Sequence, residues 1–142
     1  MREILFKAKR TDSDTWIEGN LLTFDSRRYI INDIETIYYC PQCDREETRE
    51  VWFAVIPETV SQFTGLYDKN GARIWENDIV EYDDLFLNVQ GRFEKGKTKS
   101  IVTFDNEHAY FSPFEPDLYE LHIQAENVEV IGNRFDNPDL LK

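Results

Sequence analysis

Residues 60–80 of this 142-residue chain have the sequence VSQFTGLYDKNGARIWENDIV. Apolar and polar residues alternate over 60–66, which predicts a β-strand with Gly65 at its end. Asp68-Lys69-Asn70-Gly71 predicts a tight turn, because Asn and Gly tolerate the positive φ angles of a hairpin. A second turn at Asn77-Asp78 leads into the apolar pair Ile79-Val80, and Asp78 is placed there to accept backbone N–H bonds. The stretch therefore predicts antiparallel strands joined by a structural double turn.

The same period of two recurs along most of the chain. We predict strands over residues 3–9, 15–24, 28–34, 51–56, 60–66, 79–82, 85–93, 98–104, 108–112 and 128–131. Lys95-Gly96-Lys97 is the expected tip of the hairpin between the strands over 85–93 and 98–104. Helical patterns are confined to residues 117–125 and to a terminal turn over 137–141, with Asn137 as its cap. The predicted fold class is mainly β (β or α+β), a small barrel or sandwich with one or two short helices.

The length of the chain predicts a single domain over residues 1–142. Within that domain, residues 1–56 hold the N-terminal strands and a Cys-x-x-Cys loop, and residues 60–135 hold the turn signature and the core. The N-terminus lacks the apolar run of a signal peptide, and no stretch reaches the length of a membrane span. We therefore expect a cytoplasmic protein.

The chain has 28 acidic and 16 basic residues, which gives a formal net charge of −12. This charge disfavours general nucleic-acid binding and docking on an anionic membrane, both of which need clustered Lys and Arg. The acidic excess lies in residues 76–94 and 105–129, whose net charges are −5 and −7, whereas residues 95–104 carry +3. The lysine-bearing segment over residues 95–104 could therefore contact a phosphate locally, despite the negative charge of the whole chain.

Three parts of the chain resemble the YopX family. Residues 60–80 are similar to that family's signature QYTGLKDKNGKEIYEGDIV, the opening Arg2–Ala8 to its REIKFRAW start, and residues 128–141 to its VIGNIYENPELL close. The matches occur in the same order over nearly the whole length. The chain departs from the signature at Asn77, where the family usually has Gly, and Asn is well suited to the same left-handed backbone.

The resemblance implies a fold and an origin. Members of the family are encoded by phages and prophages of bacteria, and their core is an SH3-like β-barrel, with assembly into homo-oligomers as a further expectation. The resemblance carries no catalytic residues over to this chain, so we expect a host bacterium's cytoplasm as the location but no specific activity. The Cys-x-x-Cys segment is not part of the signature.

Cys40-Pro41-Gln42-Cys43 has the spacing of a zinc knuckle, in which two thiolates hold one side of a tetrahedral site. The chain has no second cysteine pair, so His108 and His122, or the cysteines of a second subunit, would have to complete the site. Two inert thiols in a surface loop are the alternative, and a redox pair is disfavoured because no βαβ setting surrounds the motif. The charged run over residues 44–50 predicts a solvated loop or a short helix.

Acidic residues suggest two further hypotheses. Asp68, Glu76 and Asp78 are a candidate site for a divalent cation, which prefers hard oxygen ligands, although a structural double turn explains the same residues. Asp78, Glu81, Asp83 and Asp84 are a candidate carboxylate cluster for a metal-dependent enzyme acting on nucleic acid or nucleotide. Acidic mimicry of nucleic acid is a third reading, and it requires rows of negative charge on one face.

Most aromatic residues fall in strand-like runs and are expected in the core. Tyr110, Phe111 and Phe114 are the candidates for an exposed interaction surface, because exposed aromatics mark interfaces. The sequence holds no phosphate-binding loop and no nucleophile motif. We therefore expect a non-catalytic protein-interaction module, with no required cofactor, whose partner is a host or phage protein.

Overall fold

The computed structural model describes residues 3–32, 38–40, 45–47, 51–114 and 123–142. These ranges form thirteen strands: β1 Phe6–Lys9, β2 Trp16–Phe24, β3 Arg27–Asn32, β4 Tyr38–Cys40, β5 Arg45–Glu47, β6 Val51–Ala54, β7 Ser61–Tyr67, β8 Arg73–Trp75, β9 Asp78–Leu87, β10 Phe93–Ile101, β11 Thr103–Asp105, β12 Tyr110–Ser112 and β13 Glu129–Asn133. Short 3₁₀ helices occupy Pro57–Thr59, Ala125–Asn127 and Pro138–Leu141. The mainly β prediction is confirmed, and every strand pair is antiparallel.

The chain divides into two compact units, Met1–Gln62 and Phe63–Lys142. In the first unit the strand order is β6-β3-β2-β1, and the first residues of β7 pair with β1. Asp25 and Ser26 form the tight turn between β2 and β3, and both have positive φ. Ala8, Ile30 and Val55 form the buried core of this unit.

The charged segment over residues 44–50, after the second cysteine, was expected to be a solvated loop or a short helix, and this is wrong for residues 45–47. They form β5, which pairs with β4 so that Tyr38 lies opposite Glu47 and Cys40 opposite Arg45. A two-stranded ladder satisfies the backbone hydrogen bonds of this segment, which a solvated loop would leave to water.

The second unit contains the rest of β7 paired with β8, a three-stranded sheet of order β10-β9-β13, and the hairpin β11–β12. Val80 of β9 is fully buried, and Tyr82, two residues later, packs against the same core. That core consists of five buried residues: Ile74, Val80, Val102, Phe111 and Val128. None of the sheets in the described ranges closes into a barrel.

Three predicted boundaries in this unit are wrong. The strands predicted over 79–82 and 85–93 are one continuous strand, β9, which ends at Leu87. The expected hairpin tip at Lys95-Gly96-Lys97 lies inside β10, and the turn spans residues 88–92 instead. Gly65, expected at a strand end, lies within β7 at a register shift and has a φ of +84°.

The C-terminal prediction is partly wrong. The terminal turn forms as the 3₁₀ helix Pro138–Leu141, but the Asn137 side chain makes no capping bond to it. Instead, Asn137 Oδ1 accepts the backbone N–H of Asn133 at 3.2 Å.

The predicted helix over 117–125 falls mostly outside the described residues, and its last residue begins the 3₁₀ helix Ala125–Asn127. No helix in the described ranges has the length and apolar character needed to span a membrane.

Candidate interaction site

The predicted turn after β7 is organised by the Asp68 carboxylate. Asp68 Oδ1 accepts the backbone N–H groups of Asn70 and Ala72, both at 2.9 Å. Its Oδ2 accepts the N–H of Val130 in β13 at 3.1 Å. Gly71 adopts a φ of +79°, the left-handed conformation that the Asn-Gly pattern predicts. One side chain thus closes the turn and ties it to a strand 62 residues away in sequence.

Asp68 is buried, with 6% of its surface exposed. Burial alone raises the pKa of its carboxyl group, because a low-dielectric surrounding disfavours the charged form. The backbone donors of Val130, Ala72 and Asn70, together with the Lys69 cation, outweigh that effect and lower the pKa below its ordinary value. The carboxylate therefore stays ionised as a hydrogen-bond acceptor at neutral pH.

The second predicted turn also depends on a buried carboxylate. Asp78 is 2% exposed, and its Oδ2 accepts the backbone N–H of Trp75 at 2.9 Å. Asn77 has a φ of +71°, so it adopts the left-handed backbone for which a Gly would ordinarily be used. Asp68 and Asp78 thus both serve as acceptors for backbone groups within the fold.

The turn at residues 88–92 has the same hydrogen bonds as the turn at 68–72. Asn88 N–H donates to the Arg92 carbonyl at 2.8 Å, and Gly91 N–H donates to the Asn88 carbonyl at 2.9 Å. Asn88 Oδ1 accepts the N–H groups of Gln90 and Arg92, as Asp68 Oδ1 does for Asn70 and Ala72. Gly91 adopts a φ of +75°. The same loop design therefore occurs twice, with Asp as the acceptor in one and Asn in the other.

This second turn ends a two-stranded ribbon formed by β9 and β10. The β9–β10 pairing extends from Ile79–Ile101 to Leu87–Phe93, whereas β13 pairs with β9 only as far as Glu81. Within the described ranges, residues 82–87 of β9 and the whole outer edge of β10 have no neighbouring strand. In the part of the chain that the structure describes, the ribbon therefore extends beyond the three-stranded sheet as a two-stranded hairpin.

Four apolar residues at the end of the ribbon are exposed. We call them the apolar tip: Leu85, Leu87, Val89 and Phe93. Leu87 and Phe93 are directly paired across the ribbon and are 65% and 73% exposed. Leu85 lies on the same face as this pair because side chains alternate along a strand. Leu85, Leu87 and Phe93 thus form an apolar patch on one face of the ribbon, in contact with water, and Val89 adds an exposed apolar side chain in the turn that follows.

Three lysines continue the face of the ribbon that carries Leu85, Leu87 and Phe93. We call them the lysine row: Lys95, Lys97 and Lys99, which lie opposite Leu85, Asp83 and Glu81. Lys97 Nζ forms an ion pair with Glu81 at 3.3 Å. Lys95 and Lys99 form no ion pair within the part of the chain that the structure describes. The face is therefore apolar at its end and cationic along β10.

On the opposite face of the ribbon, the Phe86 ring covers Gly96. A Cβ atom added at Gly96 would lie 2.7 Å from Phe86 Cε2 and 2.9 Å from Cδ2. An aromatic ring over a glycine of the neighbouring strand shields backbone that the glycine would leave open. This contact explains why a glycine lies in the middle of β10.

The aromatic residues predicted for interaction occupy a different environment. Phe111 is 8% exposed and belongs to the core, and Phe114 packs against that core. The Phe111 ring also contacts the Phe104 ring, with centroids 5.1 Å apart. Tyr110 lies in β12 and is half-buried. The large exposed apolar surface of this unit lies at the ribbon instead.

The candidate carboxylate cluster is distributed along β9. Glu81 and Asp83 lie on the face with the lysine row, Asp84 lies on the other face, and Asp78 is buried at the start of the strand. Among the described residues, no group of three or more His, Cys, Asp or Glu is arranged to hold a metal ion.

Cys43 and His122 lie outside the described residues, so the predicted zinc site stays a prediction. His108 Nδ1 lies 3.2 Å from Asp105 Oδ2.

A groove of about 550 Å³ lies beside β9 in the second unit. Its walls combine β9 with the Asp68 turn and the segment before β13, through Lys69, Tyr82, Asp83, Ile123, Gln124, Glu126 and Asn127. Its one lysine is paired with Glu129 at 3.2 Å. The described lining residues are mixed in charge and do not converge on a reactive group.

Sequence reasoning missed the ribbon as a site. The run Leu85-Phe86-Leu87 is typical of a buried strand, but these side chains are exposed because they lie in the part of β9 beyond its pairing with β13 and outside the buried core of this unit. The Asn88-Val89-Gln90-Gly91 segment carried a usable signal, because an Asn three residues before a Gly matches the Asp68–Gly71 spacing.

Comparisons with known proteins extend the resemblance seen in the sequence. A sequence model of the family described as YopX protein matches residues 5–142. A solved structure, protein EF1440 from Enterococcus faecalis, is similar over 100% of both chains, with a TM-score of 0.58 and 24% sequence identity. That likeness concerns the fold alone. No curated protein matches the chain. Because the family match covers nearly the entire length, this chain belongs to the YopX family.

Proposed function

We propose that this protein is a non-catalytic protein-interaction module that docks through the β9–β10 ribbon onto a different protein of the host bacterium or its phage. The exposed apolar tip carries this proposal. Soluble monomers rarely leave contiguous apolar surface in water unless it forms a contact. Leu85, Leu87, Val89 and Phe93 are all more than half exposed at the end of one hairpin.

The size of the apolar tip indicates a modest affinity. Full burial of one Leu, Val or Phe side chain contributes about 1.5–3 kcal/mol. Four such residues contribute roughly 6–12 kcal/mol, against an association cost of roughly 4–15 kcal/mol. The tip alone supports at most a transient contact, so polar groups of the ribbon must contribute to any stable complex.

Electrostatics favours a different protein over a second copy. Two copies would each bring a net charge of −12, and like charges oppose close approach. Homo-oligomer formation is thus an outcome that a test must distinguish. The SH3-like barrel core, the phage or prophage origin and the cytoplasmic location stay predictions from the resemblance and the sequence.

The proposal is tested with the double variant Leu87→Ser/Phe93→Ser. The purified full-length protein is immobilised and incubated with lysate of the bacterium that encodes it, and bound proteins are quantified by mass spectrometry. A matched control, Ile4→Ser/Leu141→Ser, removes two exposed apolar residues outside the ribbon. We expect a saturable, stoichiometric partner that wild type and control retain and the ribbon variant loses. Equal retention by all three proteins would contradict the proposal.

A further inference from the structure

We infer that the partner contributes an acidic, extended strand that adds to the outer edge of β10, with alternate carboxylates facing the lysine row. This inference rests on the proposed function and names the chemistry of the partner. Edge strands offer a line of backbone N–H and C=O groups, and strand addition is a common mode of peptide recognition. β10 is such an edge over nine residues, Phe93–Ile101, within the described ranges.

The spacing of the lysines matches a strand in particular. Lys95, Lys97 and Lys99 are at every second position, so all three point to one face of the sheet. A strand paired with β10 would present its own alternate side chains about 4.5–5.5 Å away on that face. Asp or Glu at those positions would form cross-strand pairs with each lysine while the two backbones hydrogen-bond. A helix laid along the row could meet the lysines but would leave the backbone groups of the β10 edge unpaired.

Two of the three lysines are available to pair with the carboxylates of such a partner. Lys97 is paired with Glu81, while Lys95 and Lys99 have no ion-pair partner in the described part of the chain. Lys95 lies beside the apolar tip, opposite Leu85. A complementary strand therefore combines carboxylates along its length with an apolar residue at the end that meets Phe93.

The same row argues against edge pairing between two copies. If a twofold axis paired β10 with β10 of a second copy, lysines would lie opposite lysines on one face. Like charges directly opposite each other destabilise a strand pair, and lysines on an edge are a known protection against self-association. The row thus selects a partner of opposite charge.

The test uses the ¹⁵N-labelled full chain and a synthetic peptide of about nine residues that alternates Glu with Val or Thr. Four control peptides keep its length: one with Gln for Glu, one with the same composition but clustered Glu, and two N-methylated at alternate residues, one in each register. Binding is followed by backbone amide shifts in low and high salt. We expect the Glu peptide to shift the amides of residues 93–101 and to bind about tenfold or more tightly than the Gln and clustered-Glu peptides. Of the N-methylated pair, the peptide whose methyl groups face β10 should lose binding, and the other should retain it, because alternate N–H groups of a strand point to opposite edges.

A charge-reversal variant sharpens the test. In Lys95→Glu/Lys97→Glu/Lys99→Glu we expect the Glu peptide to lose binding and a Lys-alternating peptide to gain it. Equal binding of the Glu and Gln peptides, or shifts outside the β10 edge, would overturn the inference. So would a clear preference for vesicles of phosphatidylserine and phosphatidylcholine over the Glu peptide, or a salt-sensitive dimer of the protein itself.

The two proposals fail in different ways. If no peptide binds β10 but capture of a partner still depends on Leu87 and Phe93, the acidic-strand inference is wrong and the interaction module stands. If, in addition, the Leu87→Ser/Phe93→Ser variant captures partners as well as wild type does, both the acidic-strand inference and the interaction-module proposal are wrong.

Discussion

Leu87 of β9 and Phe93 of β10 face each other as the last strand pair before the turn at 88–92, and both are largely exposed to water. A pair of this kind in the interior of a sheet would be covered by a second layer. Here it lies beyond Glu81, the last β9 residue that pairs with β13. The fold therefore presents these apolar side chains at the end of the ribbon, outside the buried core of this unit.

The first prediction concerns the role of the apolar tip in stability. Leu87→Ser/Phe93→Ser should change the free energy of unfolding by less than about 0.5 kcal/mol, because exposed side chains contribute little to folding. Urea unfolding followed by tryptophan fluorescence measures this. A loss of more than about 1.5 kcal/mol would mean that the pair is part of the core after all.

The second prediction separates the two halves of the Asp68 interaction. Asp68→Asn keeps an oxygen for the Asn70 and Ala72 donors, as Asn88 does in the other loop, but turns an amide NH₂ towards the N–H of Val130. Asp68→Ala removes both acceptor oxygens and with them all three hydrogen bonds. We expect the Asn variant to lose about 1–3 kcal/mol of unfolding free energy and the Ala variant to lose more. Equal stability of wild type and Asp68→Asn would show that the Val130 bond contributes nothing.

The third prediction is the pH dependence that follows from Asp68. Its pKa is lowered in the folded protein, so its contribution to stability is fully present above the unfolded value, about 4. That contribution is lost as pH falls through the lower, folded pKa. The stability difference between wild type and Asp68→Asn should therefore shrink between about pH 5 and pH 2. Urea unfolding at a series of pH values measures it, and a difference that stays constant or grows on acidification would contradict the ionised-acceptor role.

The fourth prediction concerns the turn of the ribbon. Asn88 holds Gln90 and Arg92 through Oδ1 and donates through Nδ2 to Glu94 at 2.8 Å. Asn88→Asp should keep the loop but repel Glu94, whereas Asn88→Ala should release the loop. Hydrogen exchange of amides 85–95 should accelerate at least several-fold more in Asn88→Ala than in Asn88→Asp. Similar exchange in both variants would mean that Oδ1 does not organise the turn.

The fifth prediction tests the contact between Phe86 and Gly96. Gly96→Ala brings a Cβ into the space of the Phe86 ring, so the ring must move. In a Phe86→Ala background the same substitution should stabilise the protein by about 0.5–1 kcal/mol, because glycine weakens a strand interior. A double-mutant cycle measures the coupling, which we expect at about 0.5 kcal/mol or more. Additive effects would show that the ring does not cover the glycine in solution.

The sequence predicted the local features of the fold better than its long-range ones. The turn at Asp68–Gly71 was predictable because Asn-Gly has a distinct backbone preference, and Asn77 was expected in the left-handed region that it adopts. The turn at 88–92 was misplaced because Lys95-Gly96-Lys97 looks more like a tip than Asn88-Val89-Gln90-Gly91 does. Only the ring of Phe86 above Gly96 explains that glycine, and this contact is not visible in a pattern.

The candidate site could not be predicted for the same reason. Leu85 and Leu87 belong to the apolar run of a buried strand, and their exposure depends on how far the ribbon extends beyond the core, which the local sequence does not show. Conversely, Phe111 was expected at a surface because it lies in an aromatic run, but β11 and Val128 surround it in the second core. The Asp68–Val130 bond likewise joins residues 62 positions apart.

The most direct test of the interaction module is photo-crosslinking in living cells. A benzoyl-phenylalanine replaces Phe93 at the apolar tip or, as a matched control, Phe104, which is 40% exposed in the same unit. We predict one covalent adduct with a different protein from position 93 and none from position 104. No adduct at position 93, the same adducts from both positions, or an adduct only with a second copy of this chain would contradict it.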